Sequence, residues 1–287
     1  MLNVRTSVLL GIGLVGSLWL QSCSQSSQPT AVSVNDQGKL QGKIVLTGSS
    51  TVAPLATEIG KQFEQNNPGV RVDVQSGGSS RGIADARSGV ADLGMISRSL
   101  DPDEADLKAF PIALDGIAMI VHESNPISEL SKGQIEQIYQ GDVDNWQAVG
   151  GEAQPITVVN KAEGRSTLEL FLKYLDLEAA DIKADVVIGD NEQGIKTVAG
   201  NESAVGYVSI GSAENSIEQG VPIKLVKIDG IEASTATVKE GKFPISRELN
   251  LVTLNEPTAE VGAFIDFAQS PEAYEIIERQ YFVPITK

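Results

Sequence analysis

The stretch QSGGSSRG, residues 75–82, follows the alternating run Val70-Arg71-Val72-Asp73-Val74 and leads into IADARSG at 83–89. Alternation of apolar and polar residues marks a half-buried strand, and the segment after the glycines reads as a short helix over 81–88. Small residues between a strand and a helix form the turn of an α/β unit. Two chemistries use such a junction. Backbone N–H groups and serine hydroxyls at a helix start can cradle an anion. Alternatively, Gly78-x-Ser80-x-Gly82 matches the G-x-S-x-G turn that exposes a nucleophilic serine.

The flanking sequence repeats the strand–helix alternation. Upstream, Lys43–Thr47 reads as a strand, and LATEIGKQFEQ (55–65) as a helix stopped by Asn66-Asn67-Pro68-Gly69. Downstream, VADLGMIS (90–97), PIALDGIAMIVH (111–122), PITVVN (155–160), AVGYVSI (204–210) and ELNLVT (248–253) read as strands. Helices are expected in 131–141, 191–200, 260–269 and 271–280, and after the turn AEGRS, where Leu168, Phe171, Leu172 and Leu175 share one face. This order implies α/β layers around largely parallel sheets, in two βα-rich lobes joined by two strand-like passages. Ligand sites favour the cleft of such a molecule.

Composition narrows the chemistry. In 287 residues, 22 Lys and Arg stand against 38 Asp and Glu, giving a net charge of −16. That argues against a nucleic-acid partner, although a local donor set can still hold an anion. Cys23 is the only cysteine and His122 the only histidine, which excludes a disulfide and the common thiolate and imidazole metal sites. No metal and no cofactor is therefore expected. Arg5 followed by the apolar run 8–20 has the form of a secretory signal segment over 1–22, too short to span a bilayer. LWLQSC (18–23) resembles the lipobox of bacterial lipoproteins, which would place a lipid on Cys23. Residues 23–41, rich in Ser and Gln, read as a flexible tether.

Four loops share one design, in which a strand ends and small hydroxyl residues and glycine lead onward. They are Gly48-Ser49-Ser50-Thr51, Gly77-Gly78-Ser79-Ser80, Ile96-Ser97-Arg98-Ser99 and Glu163-Gly164-Arg165-Ser166-Thr167. One such loop is explained by helix capping. Four of them at the carboxyl ends of strands, where open α/β sheets bind ligands, point to a tetrahedral oxyanion. Arg81, Arg98 and Arg165 could add charge-assisted bonds.

The segment from Thr47 to Leu100, together with DGIAMIVHESNPI (115–127), LSKGQIEQIYQGDVDNWQAVGG (130–151), NKAEGRSTLELF (160–171), AVGYVSI and FPISRELNLVT (243–253), resembles the PstS family, the phosphate-binding proteins of bacterial phosphate ABC importers. The resemblance covers 43–287 and implies a type II periplasmic-binding-protein fold, with one lobe formed by 42–118 plus 250–287 and the other by 119–249. It further implies capture of inorganic phosphate, delivery to an ABC permease, and a monomer held at the membrane through its lipid in the periplasm or at the cell surface. By position, Thr51, Val52 (through its N–H), Ser79, Ser166 and Thr167 match the family's phosphate contacts, and Ser50, Ser80 (beside Ser79), Ser97, Arg98 and Arg165 are expected to line the same site. Three positions depart from the family pattern. Ser97, followed by Arg98, stands where the best-known members carry an Asp that accepts the phosphate proton. Lys161 replaces an Arg, and Arg165 replaces a Ser.

The serine-hydrolase alternative needs Ser80, an acid and a histidine. His122 lies in an apolar strand and no second histidine exists, so Ser79 and Ser80 are expected to donate hydrogen bonds and not to attack. Another tetrahedral oxyanion, sulfate or molybdate, remains the competing ligand. The acids Asp101, Asp103 and Glu104 read as a solvated helix start, and Asp142 and Asp144 as a turn, because neither has calcium-loop spacing.

Overall fold

The computed structural model describes residues 39–286. Cys23, the expected signal segment at 1–22 and most of the tether lie outside them. In chain order, β1 (Gly42–Gly48) is followed by α1 (Val52–Asn66), β2 (Val70–Ser76), α2 (Ser79–Ser88) and β3 (Leu93–Ile96). Next come the long β4 (Lys108–His122), β5 (Glu129–Leu130), α3 (Lys132–Gln140), β6 (Thr157–Lys161), α4 (Ser166–Leu175), β7 (Val186–Ile188) and α5 (Asn191–Ala199). Then β8 (Ala204–Ser209), α6 (Ile210–Glu218), β9 (Ile223–Ile228) and α7 (Thr235–Lys239) lead to β10 (Ser246–Thr253), α8 (Ala259–Ala268), α9 (Pro271–Arg279) and β11 (Val283–Pro284).

Local chemistry sets the ends of these elements. Helix α1 stops where the Asn67 N–H bonds the Phe63 carbonyl and Pro68 removes the next donor. Helix α2 ends at Gly89, whose φ of 71° suits only a residue without Cβ strain. Glycine is also required at 78, where φ is 99° and a Cβ would lie 2.7 Å from the Gly164 carbonyl oxygen. The two glycines of the opening stretch thus let two loops touch, with the Gly77 and Gly78 N–H groups bonding the Gly48 carbonyl at 2.7 and 2.8 Å.

The strands run in the order β2-β1-β3-β10-β4-β8-β6-β7, with β11 on β4 and β9 bridging β4 and β5. Strands β2, β1 and β3 are parallel, as are β8, β6 and β7. The centre differs from the expected parallel sheet, because β10 and β4 are antiparallel to each other and to their neighbours. Strand β4 explains this. Its first half, Lys108–Gly116, pairs with β10, and from Ile117 onward it pairs with β8 and β9, so one 15-residue strand serves two half-sheets.

Each half-sheet has its own core. Ile44, Leu46, Leu55, Phe63, Leu93 and Phe264 belong to one, with Phe63 and Phe264 edge to face at 5.4 Å. Ile117, Tyr139, Trp146, Phe171, Tyr207 and Phe243 belong to the other, with Phe171 stacked on Tyr207 at 3.8 Å. A fully buried Leu, Ile or Phe contributes about 1.5–3 kcal/mol. Leu40, expected in the tether, packs against the first core, so ordered structure begins a few residues earlier than expected.

Candidate functional site

The loops after β1, β2, β3 and β6 meet at one place. The Ser97 N–H donates to Ser79 Oγ at 3.3 Å, the Ser49 N–H to the Met95 carbonyl at 2.8 Å, and the Ser80 N–H to the Gly164 carbonyl at 3.3 Å. The N-termini of α1, α2 and α4 therefore converge, each adding partial positive charge. Ser79, Ser97, Thr51, Ser166 and Thr167 are all buried there.

Arg247 holds this cluster together. It lies on β10, and its side chain and that of Asp115 on β4 are each only 1 % exposed. Arg247 Nε and Nη2 bond Asp115 Oδ2 at 3.0 and 2.8 Å, and Asp115 Oδ1 accepts the Gly211 N–H at 3.3 Å. The rest of the guanidinium faces hydroxyls. Nη1 donates to Ser97 Oγ at 3.2 Å and Thr167 Oγ1 at 2.9 Å, while Nη2 donates to Thr51 Oγ1 at 3.1 Å. Asn191 Nδ2 donates to Thr51 Oγ1 at 3.0 Å and to Ser212 Oγ at 3.2 Å, and Asn191 Oδ1 accepts from Lys161 Nζ at 2.9 Å.

These bonds fix which way the hydroxyls work. A hydroxyl has one donor hydrogen and two lone pairs. Both lone pairs of Thr51 Oγ1 are taken, so it can only donate to a further group. Ser97, Thr167 and Ser79 each accept a bond inside the protein and keep a hydrogen to give. Ser166 Oγ is buried without a hydrogen-bond partner among the described residues. The cluster thus offers converging donors and positive charge, and the carboxylate joined to it, Asp115, is engaged by Arg247 and Gly211. Lys161 is 3 % exposed, and burial lowers its amine to about 7, with Arg247 and Arg165 adding repulsion against the opposing pull of Asp190.

Several expected residues take other places. Arg98 does not face the cluster: Nη1 and Nη2 grip Glu104 at 2.7 and 2.8 Å, Nε bonds Glu169 at 2.8 Å, and Nη1 also bonds the Ser99 carbonyl. Glu104 is consequently buried, not solvated, and Arg98 holds its carboxyl below the usual value. The Val52 N–H is directed at Ser49 Oγ at 3.4 Å, which also accepts the Thr51 N–H at 3.2 Å. Ser50 lines a groove of about 300 Å³ beside the cluster, together with Thr57, Asp190 and Ser212. Ser80 is exposed, and Arg81 pairs with Asp85 on the surface. Half-buried Arg165 lies over Gly78, where an added Cβ would stand 2.9 Å from its Cδ, and its guanidinium makes no hydrogen bond or ion pair among the described residues. His122 Nδ1 bonds Ser124 Oγ at 2.7 Å.

Arg247 and Asn191 were not among the sequence candidates. Arg247 had a readable signal, since it shares the inward face of an alternating strand with Ile245 and Leu249, and a buried arginine needs partners. Asn191 follows Asp190 at a helix start, where it reads as ordinary capping.

Comparison with known proteins fits this geometry. A model of the PBP superfamily domain matches residues 33–272. The phosphate-binding protein PstS of Bacillus subtilis is 26% identical over 270 residues, covering 92% of this chain and 88% of its own. PstS of Borreliella burgdorferi is 27% identical over 267 residues, 89% of this chain and 95% of its own. The crystal structure of a putative phosphate ABC transporter substrate-binding protein with bound phosphate, from Clostridium perfringens, superposes with a TM-score of 0.80 at 32% identity, covering 85% of this chain and all of that one. The chain belongs to the PBP superfamily, and its relatives there are the PstS phosphate-binding proteins.

Proposed function

We propose that this chain is an extracytoplasmic solute-binding protein that captures inorganic phosphate and delivers it to an ABC import permease. The observation that carries the reading is the Arg247 guanidinium holding the oxygens of Thr51, Ser97 and Thr167, which leaves their hydrogens for an anion. Ser79, Ser166 and the three helix N-termini complete a donor set suited to four oxygens. The names of the relatives support phosphate as that anion and a permease as the partner.

In this reading, 42–118 plus 250–287 form one lobe and 119–249 the other, and β4 and β10 act as the hinge on which they close around the ion. Cys23 carries a lipid that tethers a monomeric protein at the periplasmic or outer surface. The chain is a carrier and not an enzyme. Ser80 is exposed and His122 is bonded to Ser124, so the serine-hydrolase alternative lacks an activated nucleophile. Sulfate or molybdate as the ligand is favoured by one feature, that among the described residues the carboxylate joined to the cluster, Asp115, is engaged by Arg247 and Gly211.

Ser79→Ala and Thr167→Ala test the site. Each removes a donor to the anion and should weaken phosphate binding by about 1–3 kcal/mol, measured by calorimetry. Wild-type affinity in both variants would place the ligand elsewhere.

A further inference from the structure

We propose that Lys161 is the proton-linked residue of this site, taking up a proton from solvent as a doubly charged anion enters the cluster. The inference rests on the phosphate reading for its ligand and on Lys161 for its chemistry.

Lys161 ends β6, directly before the loop that leads to Ser166 and Thr167. Its ammonium is buried yet has no carboxylate within ion-pair distance among the described residues, and the bond it makes is to the neutral Asn191 Oδ1. A buried charge without a counter-charge is costly, and the group answers by giving up its proton.

The groups around it come from several elements. From β10, Arg247 repels it, and the charge of Arg247 is offset by Asp115 on β4. From the loop before α4, Arg165 repels it as well. From the start of α5, Asp190 attracts it, but that carboxylate is bonded to the Gln193 N–H at 2.8 Å. On β8, Tyr207 offers its neutral hydroxyl oxygen to the Lys161 backbone N–H. These charges largely cancel, so burial is the dominant influence on the amine, and a dianion in the cluster supplies the counter-charge that the ammonium lacks.

Asn191 joins the two. Its Oδ1 accepts from Lys161 and its Nδ2 donates to Thr51 Oγ1, the hydroxyl that has only a donor left for the ligand. An arginine at this position would stay charged at every pH at which the protein is folded. Lysine makes the charge of the site adjustable to the charge of the ligand.

The sign follows from linkage. Burial sets the amine near 7. Below that value it is already charged and nothing is taken up. Above it the amine is neutral, a bound dianion restores the ammonium, and affinity must fall as pH rises, by up to about tenfold per unit for one proton.

Calorimetric titration at pH 8, in two buffers of different ionisation enthalpy, reads the proton directly. Wild type should take up about one proton per phosphate and, independently, about one per sulfate, an anion that does not itself titrate there. Lys161→Arg and Lys161→Met should take up none with either anion. Equal uptake in the variants, or a wild-type affinity for dianions that stays flat from pH 7 to 9, overturns the proposal and leaves the phosphate reading intact. Uptake with sulfate but no phosphate binding would sustain the proton linkage and remove the phosphate reading. Binding of neither anion by wild type overturns both.

Discussion

In the proposed phosphate site, Ser97 is the residue that would decide what the site can refuse. Phosphate near neutral pH carries a hydrogen that it can donate, and sulfate carries none. A carboxylate at the site would bond the first and repel the second. Ser97 offers an uncharged hydroxyl whose oxygen already faces Arg247 Nη1, and Asp115 has its oxygens on Arg247 and Gly211, so it does not stand in for the missing acid. Sulfate should therefore compete measurably with phosphate. Ser97→Asp should raise the phosphate-to-sulfate affinity ratio tenfold or more, because a carboxylate beside a dianion costs several kcal/mol. Competition binding at pH 6 and 8 reads this, and an unchanged ratio would remove Ser97 from the ligand shell. The converging hydroxyls of Thr51, Ser79, Ser97, Ser166 and Thr167 were legible in the sequence, since Ser and Thr after a strand already face a helix start, whereas Ser50 and Ser80, expected beside them, lie outside the cluster. Arg98 and Arg247 were not legible. Arg98 looked free until Glu104 and Glu169 took it, while Arg247 reaches a partner 196 residues away, a distance no local pattern encodes.

At the scale of elements, α8 carries an uncompensated group. Glu260 in its first turn is fully buried, and neither carboxylate oxygen has a hydrogen-bond partner among the described residues. The helix dipole favours a negative charge there but does not replace a bond. Glu260→Met keeps the bulk, removes the unpaired oxygens and should raise stability by about 1–3 kcal/mol in urea unfolding. It should not alter phosphate binding, because Glu260 makes no side-chain hydrogen bond or ion pair with a site residue among the described residues. A lower midpoint would mean the carboxylate has a role. Helices and strands with clean periodicity were readable, α1 and α4 above all, because a stripe such as Leu168, Phe171 and Leu175 states its own buried face. The segment holding α6, β9 and α7 was not assigned. There, apolar residues are spread over short elements, and their spacing becomes meaningful only against β4.

Across the whole molecule, two cores hang on β4 and β10, and side chains bind one half to the other. Arg98 follows β3 in the first half, and its Nε reaches Glu169 on α4 in the second. Glu104 grips the same guanidinium from its own side, so Arg98 stays in place if Glu169 is lost. Glu169→Gln should therefore leave unfolding unchanged and speed phosphate release severalfold in stopped-flow measurements, since an ion pair across closing surfaces acts mainly on the off-rate. Unaltered release would confine that pair to packing. The two-lobed plan was legible because the strand–helix alternation restarts after 122. The antiparallel centre was not, because strand direction is settled by pairing and not by composition. The central claim is that the donor cluster around Arg247 holds inorganic phosphate, and titration of phosphate into the purified chain by calorimetry tests it most directly. The expected result is saturable binding of one phosphate per chain that is lost in Arg247→Gln variants that remain folded by circular dichroism. No binding to the wild-type protein, or full binding in the folded variant, would contradict it.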